Sequence, residues 1–313
     1  MTTPDERDGP PEADRRGSDD RRGPLDPDAA VDGRRTVDRE YAVRAAIRRE
    51  LAEDASDDVE EERAHPTVHD KPVIELKNIT LSFDKPILED ISFSVFPGET
   101  VCVVGESGTG KSTILKLILR LLVPDSGAVT IDGQDITSVG YAEALRIRQK
   151  LGMVFQSAAL FDSMTVFDNI AYPLREHVKM PDDQVEARVR ETLEFVDLVP
   201  DEVMEQLPSE LSGGMRKRVG IARGMSANPK IMLYDEPTSG LDPLTTGTIT
   251  RLISKLQREL EVSSVVVSHD IRSVFRMATR VVLLYQRRIH FTGTPEEMAA
   301  SEDRYIRDFL GGF

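Results

Sequence analysis

Gly105-Glu106-Ser107-Gly108-Thr109-Gly110-Lys111-Ser112 is the stretch on which the fold turns. It fits the pattern G-x-x-x-x-G-K-[ST], in which glycines let successive backbone N–H groups turn inward around phosphate oxygens. The apolar run at residues 100–104 precedes it and reads as the buried centre of a parallel sheet. Residues 110–122 read as a helix whose apolar face is Ile114, Leu115, Leu117, Ile118 and Leu121, stopped by Pro124. A helix N-terminus adds its positive end to the loop, and Lys111 supplies a mobile cation suited to β- and γ-phosphates. The Ser112 hydroxyl suits Mg²⁺, and Thr113 follows it in the same turn. Glycines alone would make only a tight connection. With the strand before and Lys-Ser and the helix after, they make a phosphate cradle.

Working outward, Ile231-Met232-Leu233-Tyr234-Asp235-Glu236 is a second apolar strand, ending in adjacent carboxylates. Taken alone, these two could be solvated loop residues. Beside a phosphate cradle they are what phosphoryl transfer still needs: Asp235 for the Mg²⁺ shell and Glu236 to polarise an attacking water. Residues 74–83, 87–96 and 128–131 carry β-branched and apolar side chains broken by Pro97-Gly98 and Asp132-Gly133, which predicts an antiparallel layer. Residues from about 157 to 225 read mostly as helix, with Asp182 or Asp183 capping one that buries Val185, Val189, Leu193 and Val196. Strand-like runs return at 231–234, 265–267 and 281–284, separated by helical patterns. Alternating strand and helix predicts an α/β fold with a parallel core.

Charge divides the 313 residues unevenly. The formal net charge is −15, and residues 1–70 hold 12 Lys and Arg against 21 Asp and Glu. That stretch is rich in Asp, Arg, Pro and Gly, so it is expected to be a disordered acidic tail ahead of a folded domain at 71–313. Within it, residues 39–51 place Tyr41, Ala45 or Ile47, and Leu51 near one helical face, which fits a transient helix or a docking element. His65 and His69 have helical spacing, but Pro66 between them argues against a metal clip. Net acidity argues against nucleic acid as a partner, and no apolar run approaches the roughly 20 residues needed to span a bilayer. The one cysteine, Cys102, excludes an internal disulfide and lies in a run that predicts a buried, inert thiol.

Leu211-Ser212-Gly213-Gly214-Met215 lies between the two phosphate-handling motifs and resembles the signature of ATP-binding cassette (ABC) ATPases. In that family's order stand Gln156 in Val154-Phe155-Gln156, Ser239-Gly240-Leu241-Asp242, and His269 in Val267-Ser268-His269-Asp270, similar to the Q-loop, D-loop and switch histidine. Phe83 lies where the family places an adenine-stacking aromatic, although an ordinary strand Phe would stand there equally well. The resemblance spans roughly residues 73–310. It implies a P-loop NTPase with an antiparallel β subdomain, a parallel-sheet core and a helical subdomain. It also implies ATP and Mg²⁺, with Ser112, Gln156 and Asp235 on the metal, Glu236 as base, and His269 and Lys111 on the γ-phosphate. Two copies would sandwich ATP head to tail, so that Ser212, Gly213 and Gly214 of one, with its Asp242, meet nucleotide held by the other.

The 100 positions from Lys111 to Leu211 leave no room for the long coiled-coil insertion of chromosome-maintenance ATPases, and a single cassette disfavours the two-cassette translation factors. Residues 155–177 resemble the ATPases of Mla (maintenance of lipid asymmetry) and related MCE (mammalian-cell-entry) lipid transporters, as does Met215 where most relatives have Gln. The resemblance implies an ATPase at the cytoplasmic face of the inner membrane. It would bind integral-membrane permeases, an MCE-domain protein and a small STAS-domain regulator. The alternatives are a polar-solute importer ATPase, a soluble ABC regulatory or repair ATPase, and a nucleotide-binding module without turnover.

Overall fold

In the computed structural model of the chain, residues 71–311 are described, and two sheets organise them. The smaller is antiparallel and contains β1 (Ile74–Ser82), β2 (Pro86–Val95), β4 (Ser126–Ile131) and β5 (Gln134–Asp135), ordered β2-β1-β4-β5. The larger places β3 (Thr100–Gly105) between β9 (Arg280–Tyr285) and β8 (Ser263–Val267), all parallel. Beyond β8 come β7 (Ile231–Asp235) and β6 (Leu151–Val154), also parallel, while β10 (Arg288–Gly293) runs antiparallel on the outer side of β9.

The helices in chain order are α1 (Lys111–Ile118), α2 (Tyr141–Arg148), α3 (Val166–Pro173), α4 (Asp182–Phe195), α5 (Pro200–Val203) and α6 (Gly213–Met225). They continue with α7 (Pro243–Leu260), α8 (Ile271–Met277), α9 (Pro295–Ala300) and α10 (Arg304–Gly311). A π-helical turn, Leu174–Val178, follows α3.

The fully buried β3 explains why its apolar run is unbroken. Side chains alternate across a strand. Cys102 and Val104 enter one core with Tyr234, Val266 and the helical side of the molecule. Val101 and Val103 enter another with Ile74 and Leu76 of the antiparallel sheet and Ile114 and Leu115 of α1. Full burial is worth roughly 1.5–3 kcal/mol per large aliphatic side chain, so both faces of the sheet must be covered. On the helical side, Val166 and Ile170 of α3 meet Val185, Val189 and Leu193 of α4 and Val219 of α6 in one core.

Three local expectations need correction. The helix expected to reach Leu122 ends at Ile118, because Arg120 adopts a left-handed φ of +53° and its Nε donates to Ile136 O at 2.9 Å. The α4 cap is Pro181, with no side-chain cap bond; Asp182 and Asp183 occupy the first turn, where their charge opposes the positive helix end. The hairpin strand β10 appears among none of the expected runs, because Arg288, His290 and Thr292 interrupt its apolar residues. The expected acidic tail, the helix at 39–51 and His65 and His69 lie outside the described residues. No helix among the described residues is long and apolar enough to cross a membrane.

Candidate active site

β3 ends at Gly105 and α1 begins at Lys111, so the connecting loop must reverse tightly. Gly105 takes φ +150°, and a Cβ there would lie 2.6 Å from Leu284 O; Gly110 takes φ +95°, where a Cβ would lie 2.8 Å from Leu88 Cδ2. Neither position accepts a side chain without displacing its neighbours. Glu106, Ser107 and Gly108 form the exposed outer part of the loop, and the Thr109 hydroxyl donates to Glu106 O at 2.8 Å. Thr113 N donates to Gly110 O at 3.1 Å, which sets the first turn of α1.

Lys111 is buried at the start of α1, and its Nζ donates to Gly105 O and Glu106 O, each at 2.8 Å. Burial pushes its ammonium below the usual lysine range, while the charges of Glu236 and Asp235 oppose that shift. The Ser112 hydroxyl donates to Asp235 Oδ1 at 2.8 Å, across 123 positions of sequence. These are two hard oxygen donors of the kind Mg²⁺ takes, so the pair fits that ion. Among the described residues no group of three or more His, Cys, Asp or Glu forms a metal cluster.

Glu236 follows β7 in a left-handed conformation, φ +49°, with its N–H bonded to Val267 O at 2.8 Å. Such backbone is unfavourable for a residue with a Cβ. The turn brings Oε2 to 2.7 Å from His269 Nδ1, and His269 N also donates to it at 3.3 Å. His269 follows β8, which neighbours β7, so two adjacent strand ends assemble the pair. Gln156, just after β6, donates from Nε2 to Ser239 Oγ at 3.2 Å. The structure therefore brings Lys111, Ser112, Asp235, Glu236 and His269 into one linked site at the carboxyl ends of the parallel strands. Gln156 reaches the loop that follows Glu236.

The residues of the signature-like stretch lie at a separate helix start. Ser212 caps α6 by accepting from Met215 N at 3.2 Å, and Gly213 and Gly214 form the first helical residues. Their near neighbours are Leu241 and Thr245. Asp242, which the resemblance places toward nucleotide on a second copy, caps a helix within its own copy. Its Oδ1 accepts from Leu244 N and Thr245 N, both at 3.1 Å, and its Oδ2 accepts from Thr245 Oγ1 at 2.6 Å. Both oxygens thus cap α7, and these bonds hold the carboxyl below the usual range. Phe83 sits in the turn after β1 and is 61% exposed, open to a stacking partner.

Two residues near the site escaped the sequence analysis. Lys217 of α6 is buried and donates to Gln156 O and Glu236 O. Its place inside the basic run Arg216-Lys217-Arg218 reads as a solvated face; the available signal was its helical spacing with Val219-Gly220-Ile221 and Gly224. Tyr305 of α10 donates its hydroxyl to Glu106 Oε1 at 3.3 Å, and burial together with the Glu106 charge pushes it up to about 12.

Between β6 and α3, the fully buried Asn169 organises the chain. Its Oδ1 accepts from Phe161 N at 2.8 Å, while Nδ2 donates to Phe161 O, Met164 O and Thr165 O. The loop so held presents Phe161, and α3 presents Tyr172, both partly exposed with ring centroids 5.1 Å apart and the Arg223 guanidinium 5.9 Å from the Phe161 ring.

A phosphate loop between a central parallel strand and a helix, with a carboxylate-bearing strand end beside it, defines a P-loop nucleotide triphosphatase. The chain belongs to the ABC transporter family as an ATP-binding ATPase subunit: residues 88–239 match the family model described as ABC transporter. A relative from Haemophilus influenzae, the intermembrane phospholipid transport system ATP-binding protein MlaF, is 38% identical over 241 residues, 77% of this chain and 90% of that protein. The probable ribonucleotide transport ATP-binding protein mkl of Mycobacterium leprae is 38% identical over 240 residues, 76% of this chain and 69% of that protein. Among solved structures, a dimeric post-hydrolysis state of the ATP-binding cassette MJ0796 bound to ADP and Pi matches with a TM-score of 0.66 and 33% identity. It covers 71% of this chain and 98% of that one.

Proposed function

We propose that this chain is the ATP-hydrolysing subunit of a lipid transporter, powering movement of a phospholipid-type substrate through a separate membrane permease. The observation that carries the reading is the 38% identity to a phospholipid-transport ATP-binding protein over 90% of that protein's length. In this reading the amides of residues 105–113 and the Lys111 ammonium hold the β- and γ-phosphates, and Phe83 stacks on adenine. Ser112, Asp235 and Gln156 would hold Mg²⁺, which would supply positive charge against the phosphate oxygens. Glu236 takes a proton from the attacking water, with the His269 imidazole fixing its carboxylate and reaching the γ-phosphate. Lys111 leaves its two carbonyl partners for phosphate, a charge-assisted exchange.

The dimeric solved relative supports a head-to-tail pair, in which Ser212, Gly213 and Gly214 of one copy cap ATP on the other. Its rationale is physical: the amides of a helix's first turn have no acceptor within the helix and meet phosphate closely. Phe161, Met164 and Tyr172 lie on the segment offered to a permease helix, at the cytoplasmic face of the inner membrane. An MCE-domain protein and a STAS-domain regulator complete the assembly. Residues 1–70 stand outside the chemistry, so the catalytic domain is 71–313.

A second reading, ribonucleotide transport, is favoured by the name of the mycobacterial relative at equal identity. Purification of the complex from native membranes separates the two. Co-purifying phospholipid and an MCE-domain protein are expected. A polar-solute permease with a solute-binding protein, or a nucleotide as transported cargo, would overturn the lipid assignment.

A further inference from the structure

Four features converge on the face of α6 that looks toward the site. Lys217 is 6% exposed, yet it carries an ammonium group. Its Nζ donates to Gln156 O at 2.6 Å and to Glu236 O at 3.3 Å. One turn later, Gly220 lets the helix approach so closely that an added Cβ would stand 3.1 Å from Ala158 Cβ. One turn later again, the Arg223 guanidinium donates to Ala158 O at 2.8 Å and Ala159 O at 2.7 Å. Ala158 and Ala159 both have left-handed φ, +62° and +47°, as does Glu236. Thus one helix face holds two stretches of unfavourable backbone: Arg223 binds the carbonyls of Ala158 and Ala159, and Lys217 joins Glu236 to Gln156, two residues before Ala158.

A buried ammonium is costly unless its donors are used. Here the acceptors are the carbonyls of the metal-side glutamine and of the general base. Burial lowers the Lys217 pKa, and the Glu236 charge counters that shift, so the carboxylate is electrostatically close as well. α6 itself begins at the Ser212–Gly214 turn, little more than one helical turn before Lys217.

We propose that Lys217 is a positioning residue for hydrolysis. It ties the signature helix to the backbone of Gln156 and Glu236 and holds the Glu236 carboxylate at its working angle. It touches no phosphate; it acts through Glu236, so the inference rests on the assignment of Glu236 as base. Without the tether the left-handed Glu236 backbone relaxes and the carboxylate shifts, while the phosphate loop, built on β3 and α1, is unchanged. A misplacement of about 1 Å costs on the order of 10²-fold in turnover.

The test uses the full-length chain with Mg-ATP, comparing Lys217→Met, Lys217→Gln, Glu236→Gln and the double variants. Lys217→Met removes both donors at similar volume and should lower kcat on the order of 10²-fold, with the KM for ATP within about threefold. Lys217→Gln keeps an amide donor and should recover about tenfold of that loss. In the Glu236→Gln background, either Lys217 substitution should cost nothing further, since groups acting as a unit are non-additive. Hydrolysis by Lys217→Met within threefold of the parent, a KM that rises in step with the fall in kcat, or full additivity with Glu236→Gln would overturn the proposal. If Lys217→Met does not fold, Lys217→Gln decides by the same three criteria. Near-normal hydrolysis by Glu236→Gln alone would instead sink the assignment of the base, a distinguishable failure.

Discussion

The phosphate loop and the signature turn are both glycine-rich helix starts, yet the chain finishes only one of them. Beside the loop, strand ends distant in sequence supply partners: Ser112 has Asp235 and Glu236 has His269, while Lys111 turns back to the loop's own carbonyls at Gly105 and Glu106. At the signature turn Ser212 serves its own helix, and the neighbours of the glycines are Leu241 and Thr245. In the proposed head-to-tail pair, the first-turn amides at Gly213 and Gly214 of one copy meet the phosphate held by the other.

The comparison breaks most decisively at Glu236. Glu236→Gln keeps the shape and the Ser112–Asp235 pair but removes the base, which is worth on the order of 10²–10⁴ in rate. With ATP unhydrolysed, the variant should sediment as an ATP-dependent dimer. A monomer that still binds ATP would remove the role given to the signature turn. Lys111→Ala comes next. Losing one charge-assisted bond network should weaken ATP binding by roughly tenfold to a hundredfold, read by nucleotide titration, and leave the chain monomeric.

Ser212→Ala sharpens the contrast, because it should act oppositely to Lys111→Ala. Loss of the α6 cap should destabilise the fold by about 1 kcal/mol in denaturant unfolding. ATP binding by the single chain should be unchanged, and the ATP-dependent dimer of Glu236→Gln should weaken. The smallest effect is expected from removing residues 1–70: ATP turnover of the remaining chain should stay within about twofold of the full chain, because that stretch offers no phosphate or metal constellation. A large loss of turnover with ATP binding intact would give residues 39–51 a docking role.

Legibility in the sequence followed how locally each feature is encoded. The phosphate loop and β3 were readable because backbone geometry demands glycine at 105 and 110 and burial on both faces demands an unbroken apolar run. The Asp235–Glu236 strand end was readable as a pair, but its meeting with His269 became visible only through family order, since 33 positions separate them. Lys217 was opaque, because nothing in Arg216-Lys217-Arg218 distinguishes the buried cation from its neighbours; only the packing of α6 does so. Asp242 carries a local role as well as the one its motif implies. Its place in a motif similar to the D-loop implies nucleotide contact, and Asp-Pro before a helix is also a capping arrangement, which the carboxylate fulfils in the single chain. Arg120 ended α1 early through contacts with Ile136 that no periodicity encodes.

Cys102 turns the sealed sheet into a clock. It is the chain's only cysteine, it is fully buried in the central strand, and burial pushes its thiol well above the ordinary range. A thiol reagent can therefore modify it only when β3 is exposed, so the labelling rate reads the opening of the parallel sheet in molecules that are otherwise folded. Bound nucleotide stabilises the closed form by mass action, and the same rate should slow as ATP fills the loop that β3 feeds. The wild-type protein thus carries its own reporter of how nucleotide occupancy stiffens the core.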